Sequence, residues 1–342
     1  MKAAFFSPDT GFTITDTSLP RAGVNEAVVQ VEACGICGSD KQLVRGEAPP
    51  QGTEFPVVLG HEIAGRIHSV VNEDPVHPRW TQGESVLVYP FIPCGECRLC
   101  QTGLSHLCSK QQVIGYHRQG GFAEQTVVPV SNLILRPSGI SASAGALLVD
   151  AFATPYHALK QGALSPGECI LVLGAGGLGL AGLMVAKAMG AKRIGLLSRR
   201  RAALDNPAAD YAEARFDAGE GDRQVGRQIR RWSKGGVDVI LDTTGSGKLI
   251  EQGLDLLHPG GRLVIIGMNS NEFTLPVAKT VRRGISVIAS YGSTKQDVEE
   301  LAGFAQDKRI LPENLVVQRV ALAEVAQAFT MPGKPGRTVI VP

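Results

Sequence analysis

The pattern of hydrophobic and polar positions changes near residue 151. Before that point, short stretches rich in β-branched residues alternate with prolines and turn residues, as in EAVVQVEACGI, ESVLVYPF and QTVVPVSNLIL. Stretches of this kind predict strands, and few segments in this part have the periodicity of a helix. We therefore expect residues 1–150 to form a β-rich domain.

After residue 151, continuous apolar strands alternate with helices. The predicted strands are CILVLG, RIGLL, VDVILDTTG, GRLVIIG and ISVIAS, and the predicted helices are GLGLAGLMVAKAMGA and KLIEQGLDLL. This alternation indicates βαβ units and a parallel sheet covered on both faces. We expect an α/β fold with a doubly wound domain over residues 151–291, after which residues 292–342 return to the first domain and end in the strand-like RTVIVP.

Composition restricts the possible functions. A chain of 342 residues with a formal net charge of +2 has room for about two domains, but lacks the basic balance expected of proteins that bind nucleic acids or anionic membranes. Pro8 and Asp9 interrupt the short apolar start, which argues against a signal peptide. The apolar segment 169–186 has the length of a membrane span, but its five glycines favour strand, turn and helix. We expect a soluble, cytoplasmic protein.

The segment VLGAGGLG contains glycines in G-x-G-x-x-G spacing, directly after a predicted strand and at the start of a predicted helix. In a dinucleotide site, Gly174 permits the turn, Gly176 lets the backbone approach a pyrophosphate, and Gly179 allows close packing of helix and strand. Gly177 and Leu178 then lie at the helix start, where free N–H groups face phosphate. The sequence therefore predicts a nucleotide site here.

The end of the second strand of this unit indicates which dinucleotide is bound. NAD enzymes carry an acidic residue about twenty positions after the glycines, which binds the ribose hydroxyls. Here the strand ends in Ser198, three arginines follow at positions 199–201, and the next carboxylate is Asp205. Positive charges at the start of a helix are unfavourable because they oppose the helix dipole. A bound anion, such as a ribose 2′-phosphate, would offset this repulsion. We favour NADP(H) over NAD(H), with Ser198 and Arg199 as first contacts, and a solvated basic helix end as the alternative.

Four of the seven cysteines form a C-x2-C-x2-C-x7-C cluster at Cys94, Cys97, Cys100 and Cys108. Clustered cysteines in a reducing compartment are more often metal ligands than disulfides. Bacterial iron–sulfur sequences begin in the same way, but continue with C-x3-C-P. Four thiolates close a tetrahedral zinc site without an open position, so we expect a structural zinc that holds the lobe at residues 93–109.

A second set of ligands is spread over the chain. CGICGSD contains Cys37, GHE contains His61 and Glu62, and LVDAF contains Asp150. Together with the cysteine lobe and the glycine loop, these residues resemble the zinc-dependent medium-chain alcohol and polyol dehydrogenase family over essentially the whole chain. The resemblance implies a GroES-like catalytic domain, a Rossmann domain, and a catalytic zinc bound by Cys37, His61 and Asp150, so that each chain holds two zinc ions.

The same resemblance implies roles for the neighbouring residues. Glu62 is similar to an acid that supports the zinc or binds it temporarily, Asp40 to the carboxylate that orients the zinc histidine, and Ser39 to the hydroxyl that takes the alcohol proton. Many family members carry a histidine at the position of Gln42, and a neutral amide cannot pass on a proton as imidazole does. The relay must instead end at a cofactor ribose hydroxyl, at water or at Lys41.

By resemblance, the reaction is hydride transfer between an alcohol and a nicotinamide cofactor. VIGYHRQGGFAEQ resembles a segment of polyol and sugar-acid dehydrogenases, so we favour a polyhydroxylated secondary alcohol. Candidate polar contacts are Lys41, Arg45, His117 and Arg118. An apolar pocket for simple alcohols would instead be lined by Tyr89, Phe91 and Tyr116. Two further alternatives are a zinc-free quinone or enone reductase and an NADPH-binding sensor without turnover.

The remaining expectations concern assembly and residues without a predicted role. Family members pair sheets at the strands corresponding to GRLVIIG and ISVIAS, which implies a homodimer or homotetramer. Cys34 and Cys169 are expected to pack in strands. The histidines without a partner pattern are expected on the surface or in the core: His68, His77 and His106.

Overall fold

In the part of the chain that the structure describes, a seven-stranded and a six-stranded sheet make up most of the molecule, beside smaller sheets of three and two strands. The last two strands of the chain join the seven-stranded sheet. The computed structural model describes residues 1–73, 80–269, 272–331 and 334–342. His77 lies outside the described residues.

Within these ranges the strands and helices follow in chain order. The strands before residue 136 are β1 (Lys2–Ser7), β2 (Gly11–Asp16), β3 (Glu26–Gly35), β4 (Val57–Val58), β5 (Glu62–Val71), β6 (Ser85–Val88), β7 (Phe91–Ile92), β8 (Gln112–Val113), β9 (Gln125–Pro129) and β10 (Leu133–Leu135). The later strands are β11 (Cys169–Leu173), β12 (Arg193–Ser198), β13 (Ala214–Asp217), β14 (Val237–Asp242), β15 (Leu257–Ile265), β16 (Ser286–Ala289), β17 (Val316–Ala321) and β18 (Arg337–Val341). The helices are α1 (Gly38–Val44), α2 (Arg98–Gln101), α3 (Ala142–Leu147), α4 (Ala153–Gln161), α5 (Gly177–Ala188), α6 (Arg201–Leu204), α7 (Asp222–Ser233), α8 (Gly247–Leu256), α9 (Val277–Arg283), α10 (Lys295–Gln306) and α11 (Val325–Thr330).

The first sheet has the order β10-β6-β5-β3-β18-β17, and β9 also pairs with β3. Strands β3 and β5 are antiparallel, and the end of one lies opposite the start of the other, with Gly35 paired to Glu62. Cys37 follows Gly35 by two residues, and His61 directly precedes Glu62. This register therefore brings the two residues together although 24 positions separate them in the chain.

Two predicted strands are shorter than the apolar pattern indicates. QTVVPVSNLIL is divided into β9 and β10 by a 3-10 turn at Val130–Asn132, and ESVLVYPF is divided into β6 and β7. At the second break, the Asn132 side chain donates hydrogen bonds of 2.8 Å to the carbonyl oxygens of Tyr89 and Phe91. The prediction of continuous strands here was wrong, since a side chain takes the place of the backbone ladder.

The second sheet is parallel, with the order β13-β12-β11-β14-β15-β16. Numbered within this domain, the order is 3-2-1-4-5-6, that of dinucleotide-binding domains, and the ligand crevice of such sheets lies where the order reverses. Alternate residues of β11 face opposite cores: Ile170 packs in the core on the α5 side and Leu171 in the core on the α7 side. The doubly wound prediction is thus confirmed.

The C-terminal strands complete the first sheet. β17 and β18 are parallel, and β18 is antiparallel to β3, with Val339 opposite Gly35. The domain boundaries at residues 150 and 291 remain predictions. None of the helices in the described ranges is long and apolar enough to cross a bilayer.

Candidate active site

Three predicted ligands come together at the end of the first sheet. Cys37, His61 and Asp150 place their ligand atoms within 4.8 Å of one another. The Cys37 Sγ lies 3.2 Å from Asp150 Oδ2, and His61 Nε2 lies 3.9 Å from the same oxygen. A thiolate, an imidazole nitrogen and a carboxylate oxygen are the donors that zinc takes from proteins.

Asp40 orients both neighbouring ligands. Cys37 is the N-cap of α1, and its backbone N–H donates a 2.9 Å hydrogen bond to Asp40 Oδ2. The other oxygen, Oδ1, lies 3.4 Å from His61 Nδ1, and the Asp40 side chain is fully buried. Because Asp40 lies at Nδ1, the other ring nitrogen, Nε2, points towards Cys37 and Asp150. A carboxylate near the nitrogen that does not bind the metal is common for metal-bound histidines.

Asp150 lies on an irregular helical segment. Residues Leu148–Phe152 form a π-helical turn between α3 and α4, and such turns occur often at functional sites. Thr154 donates a 2.8 Å hydrogen bond to Asp150 Oδ1, so the second oxygen, Oδ2, faces Cys37 and His61. Thr154 was not predicted as a site residue, although its position one helical turn after Asp150 is visible in the sequence.

The electrostatics of the cluster fit a divalent cation. Burial raises the pKa of Asp150, but the hydrogen bond from His61 and the charge of Arg337 outweigh it and hold this pKa well below its usual range. The carboxylate is therefore ionised. An ionised Asp150 and a Cys37 thiolate would together neutralise the two charges of a zinc ion, and His61 would bind it as the neutral imidazole. Burial lowers the pKa of His61, but the charge of Asp40 and the hydrogen bond to Asp150 outweigh it and hold this pKa well above its usual value, so His61 would release a proton when the ion binds.

Arg337 is a site residue that the sequence analysis missed. Its guanidinium is buried and lies 3.2 Å from Glu62 Oε1, 3.8 Å from Asp150 Oδ2 and 3.9 Å from Cys37 Sγ. Burial raises the pKa of Glu62 to about 8, although the charge of Arg337 opposes the shift. Within the described part of the chain, Arg337 Nε and both Glu62 oxygens lack a hydrogen-bond partner.

A cavity of about 690 Å³ connects this cluster with the glycine loop. The cluster and Ser39 lie in one part of it, and the first turn of α5 lies in another. Of the predicted substrate contacts, four line the cavity: Lys41, Arg45, Phe91 and Tyr116. Gln42 also lines it, and its side-chain amide donates to Asn269 Oδ1 at 3.3 Å.

Three predicted substrate contacts lie outside the cavity lining. The backbone N–H of Val113 donates to His117 Nδ1 at 3.0 Å, and the other ring nitrogen lies 2.9 Å from the Gln51 carbonyl oxygen. Arg118 forms an ion pair with Glu26, and the Tyr89 hydroxyl donates to the Ser293 carbonyl oxygen at 2.6 Å. Proposing these residues as pocket contacts was wrong, because partners elsewhere in the fold already satisfy their polar groups.

The glycine loop has the backbone that its spacing predicts. Gly174 has a φ of +100°, in the region that favours glycine. A Cβ at Gly179 would lie 1.8 Å from the Gly174 carbonyl oxygen, which explains the close packing of helix and strand. A Cβ at Gly177 would meet Arg337 Nε at 2.6 Å, so the arginine lies directly against the loop.

The predicted NADP contacts lie where β12 ends. Ser198 is buried, and its hydroxyl accepts a 3.1 Å hydrogen bond from the backbone N–H of Arg200. Arg199 and Arg200 diverge: Arg200 lines the large cavity, whereas Arg199 lines a second cavity of about 270 Å³ whose other lining residues include Ser246 and Lys248. Cations therefore stand on both sides of this strand end.

The cysteine lobe brings four sulfurs together. The Sγ–Sγ distances are 3.4 Å for Cys97–Cys100, 3.5 Å for Cys94–Cys108, 3.8 Å for Cys97–Cys108 and 3.9 Å for Cys94–Cys100. Four sulfurs bound to zinc at about 2.3 Å in a tetrahedron lie about 3.8 Å apart, whereas a disulfide needs about 2.05 Å. The spacing therefore fits a shared metal ion.

The rest of the lobe supports this geometry. Hydrogen bonds from the backbone N–H groups of Glu96 and Cys97 lower the pKa of Cys94, which favours the thiolate that zinc requires, whereas desolvation and the neighbouring Cys97 thiol raise the pKa of Cys100. His106 of the same lobe is fully buried, with its ring centroid 4.5 Å from that of His157 on α4. Through this contact the lobe packs against α4.

Two domain families match successive parts of this chain. Residues 23–138 match the alcohol dehydrogenase GroES-like domain, and residues 177–307 match the zinc-binding dehydrogenase domain. L-galactonate-5-dehydrogenase of Escherichia coli K12 is 31% identical over 318 residues, covering 91% of this chain and 89% of that protein. The chain belongs to the zinc-dependent medium-chain alcohol dehydrogenase family.

Other members of this dehydrogenase family extend the likeness over nearly the whole chain. An alcohol dehydrogenase of Geobacillus stearothermophilus is 29% identical over 339 residues, covering 96% of this chain and 94% of that protein. The crystal structure of a zinc-binding dehydrogenase from Sinorhizobium meliloti 1021 bound to NADP has a TM-score of 0.90 and 26% identity, covering 100% of this chain and 99% of that one. The protein is accordingly an oxidoreductase with GroES-like and Rossmann domains.

Proposed function

We propose that this dehydrogenase transfers a hydride between a secondary alcohol, of the polyol or sugar-acid class, and NADP(H), using a zinc ion bound by Cys37, His61 and Asp150. The observation that carries the proposal is the single cavity in which these three ligands and the glycine loop both lie. A reacting carbon at the ligand cluster and a nicotinamide held from the loop would therefore share one cavity.

A zinc ion at this cluster supplies Lewis-acid chemistry, which lowers the pKa of an alcohol oxygen. The chain supplies the positioning: Asp40 fixes Cys37 and His61, and Thr154 fixes Asp150. Arg337 lies 3.2 Å from Glu62 and 3.8 Å from Asp150 behind the ligands, where its charge favours the ionised form of both carboxyl groups. The alcohol loses a proton to the protein and a hydride to the nicotinamide, which leaves a carbonyl compound and the reduced cofactor.

We assign the proton to Ser39, which lines the cavity beside Cys37. From there the route cannot continue through an imidazole, because position 42 is an amide that is hydrogen-bonded to Asn269. The proton therefore leaves Ser39 through a cofactor ribose hydroxyl, water or Lys41.

The preference for NADP(H) rests on the cations at the end of β12. Ser198 brings no charge that would repel a 2′-phosphate, and Arg199 lines a cavity in which Lys248 is already ion-paired with Asp222 at 3.0 Å, so Arg199 is the cation offered to the phosphate. The relative that holds NADP in its crystal structure supports the same assignment. A contact between arginine and phosphate contributes about 1.5–3 kcal/mol, which corresponds to roughly a 10- to 100-fold preference.

The substrate class rests on the polar lining and on the likeness to L-galactonate-5-dehydrogenase. Lys41 and Arg45 provide cations that suit hydroxyl or carboxylate groups. Phe91 and Tyr116 line the same cavity and favour the second candidate, a dehydrogenase of simple aliphatic or aromatic alcohols. We further propose that the four-cysteine lobe binds a structural zinc and that the enzyme is cytoplasmic.

Initial rates across a panel of polyols, sugar acids and simple alcohols, with NADP+ and NAD+ in parallel, test the proposed function. We expect turnover of polyhydroxylated secondary alcohols, with kcat/KM at least about tenfold higher for NADP+. Turnover confined to short aliphatic alcohols would contradict the substrate class, and a preference for NAD+ would contradict the role of Arg199. A protein that binds NADPH but turns over no alcohol would support the sensor alternative.

We propose that the enzyme is a homodimer or homotetramer with an interface at β16 and α9. Within the described residues, β16 is paired only on its β15 side, and α9 has no buried residue. Val277 and Val281 on α9 are 65% and 72% exposed, and Met268 nearby in the chain is 64% exposed. Exposed apolar side chains beside an unpaired strand edge are typical of a surface that a second copy covers.

Val281→Asp should convert the assembly to smaller species, because a charge would be buried in an apolar interface. Light scattering at micromolar concentration measures the mass of the wild type and the variant. Val24→Asp, which changes an exposed valine away from this surface, is the matched control. A monomeric wild type, or an unchanged mass for Val281→Asp, would contradict the proposed interface.

A further inference from the structure

A loop between α1 and β4 forms one wall of the large cavity. We call residues 46–53 the wall loop, and four of them, residues 47–50, line the cavity. The structure describes the whole of this loop and shows it without helix or strand. Those of its backbone N–H groups that form hydrogen bonds donate to α1 or to Pro50 within the loop. The distance between the wall loop and the ligand cluster therefore depends on contacts with other segments.

The His117 side chain supplies such a contact. Among the hydrogen bonds between described residues, it is the one partner of the wall loop from outside α1 and the loop itself, with ring Nε2 2.9 Å from the Gln51 carbonyl oxygen. A Cβ at Gly52 would lie 3.6 Å from His117 Cδ2, so the ring also lies against the backbone of the loop. His117 therefore connects the wall loop to the segment after β8.

The two hydrogen bonds of His117 define one neutral tautomer. The backbone N–H of Val113 donates to Nδ1 at 3.0 Å, so this nitrogen carries no proton. The Gln51 carbonyl oxygen can only accept, so Nε2 carries the proton and donates it. The ring thus links two backbone segments, with one hydrogen bond at each nitrogen.

The segment on the other side of His117 is anchored by the fold. Val113 lies on β8, which pairs with β7, and it lines the cavity. Its carbonyl oxygen accepts hydrogen bonds from the N–H groups of Tyr116 and His117 at 3.2 and 2.9 Å. Arg118 is ion-paired with Glu26 of β3. The ring therefore holds the wall loop to a segment whose own position is fixed by other contacts.

We propose that His117 is a positioning residue, which fixes the wall loop and so determines how tightly the cavity holds a long alcohol. This inference rests on the proposed function, because it places the alcohol between the ligand cluster and the wall loop. His117 lies outside the cavity lining and touches neither the alcohol nor the cofactor. Supporting residues of this kind matter because a site that is loose by about 1 Å loses its contacts with the ligand.

The wall loop presents the Glu47 side chain to the cavity. A carboxylate can accept hydrogen bonds from two hydroxyl groups of one polyol. A six-carbon substrate extends well beyond its reacting carbon, whereas propan-2-ol carries only a methyl group on either side. We therefore expect contact with the wall loop to strengthen binding of the long substrates and not that of propan-2-ol.

The test compares three variants of the zinc-loaded enzyme with the wild type. The amide of His117→Gln reaches the position of Nε2 and can donate to Gln51, whereas that of His117→Asn reaches only the position of Nδ1 and keeps the bond from Val113. His68→Ala changes an exposed histidine on β5 and is the control. Kinetics are measured with sorbitol, L-galactonate and propan-2-ol at saturating NADP+, NADPH affinity by calorimetry, and hydrogen–deuterium exchange of the wall loop by mass spectrometry.

His117→Asn should increase the KM for sorbitol or L-galactonate, whichever the wild type oxidises, by about five- to tenfold, because one hydrogen bond that fixes the wall is lost. The kcat for these substrates, the KM for propan-2-ol and the affinity for NADPH should not change. The wall loop should exchange faster in His117→Asn, because its local opening costs less free energy. His117→Gln should restore both KM and exchange, and His68→Ala should match the wild type.

Each part of this role can be contradicted separately. Unchanged exchange of the wall loop in His117→Asn would exclude the link to Gln51, whatever the substrate. An equal increase in KM for propan-2-ol would show a general effect on the site, and a lower kcat with unchanged KM would place His117 in the chemical step. A His117→Gln variant as impaired as His117→Asn would show that the hydrogen bond to Gln51 does not carry the effect.

Failure of the proposed function gives a different result. A wild type that oxidises propan-2-ol but neither long substrate would contradict the proposed substrate class and, with it, the effect of His117 on KM. The exchange measurement needs no substrate, so it would still decide whether His117 fixes the wall loop. A change confined to the His117 variants would leave the proposed function intact.

Discussion

Asp150→Ala should yield a folded protein whose kcat/KM for the alcohol is lower by about a thousandfold. The substitution removes the carboxylate that faces Cys37 and His61 and leaves one anionic donor where a zinc ion needs two to be neutral. Lewis-acid catalysis contributes several kcal/mol to such reactions, and about 4 kcal/mol corresponds to three powers of ten in rate. Steady-state kinetics and zinc content per chain, measured together, check this prediction.

The controls separate loss of a ligand from loss of structure. Asp16→Ala removes an exposed carboxylate from β2 and should leave both rate and zinc content unchanged. Asp150→Ala should have a lower Tm than the wild type, because it removes the hydrogen bond from Thr154 and a carboxylate beside the buried Arg337, but its circular dichroism spectrum should remain that of the folded protein. Full turnover by Asp150→Ala would rule out the ligand assignment.

The parts of the site that depend on local spacing could be predicted from the sequence. The glycine loop needs only one strand, one turn and one helix in succession, and the backbone at Gly174 and Gly179 has the geometry that the spacing requires. The cysteine lobe is equally local, since all four sulfurs come from one short loop. For sites built from one short segment, the type and spacing of the residues are sufficient to predict the geometry, because few other residues affect it.

The residues missed by the sequence analysis depend on contacts between distant segments. Arg337 enters the site only because β18 is antiparallel to β3, which places the start of β18 beside Cys37 and Glu62. Nothing in RTVIVP itself indicates this neighbour, since strand register across about 300 positions is set by the whole sheet. A buried-type strand that begins with arginine was the one available signal, because a cation at such a place needs a partner.

The incorrect pocket contacts have the same origin. His117 and Arg118 follow Tyr116, which does line the cavity, so proximity in sequence suggested a shared role. The turn that carries them directs His117 to Gln51 and Arg118 to Glu26 instead. Side-chain direction in a turn depends on tertiary contacts, which the sequence pattern did not reveal.

Cys97→Ser should reduce bound zinc from two ions to one per chain and lower the free energy of unfolding by several kcal/mol. A serine hydroxyl has nearly the shape of the thiol but does not ionise at neutral pH, so the four-sulfur set would be incomplete. Structural zinc contributes roughly 10–16 kcal/mol to the folding of small zinc domains. Part of that contribution should be lost here, because α2 and the turn that carries His106 lie within the cysteine loop.

Zinc analysis together with thermal unfolding distinguishes this role from a catalytic one. Glu96→Gln alters an exposed side chain in the same loop and should change stability by less than about 0.5 kcal/mol. The fraction of Cys97→Ser that remains folded should bind cofactor as the wild type does, because the lobe lies outside the glycine loop. A variant that kept two zinc ions and wild-type stability would show that the sulfur cluster does not hold the lobe through a metal. A stable Cys97→Ser variant without turnover would instead indicate that the catalytic metal is bound in the lobe.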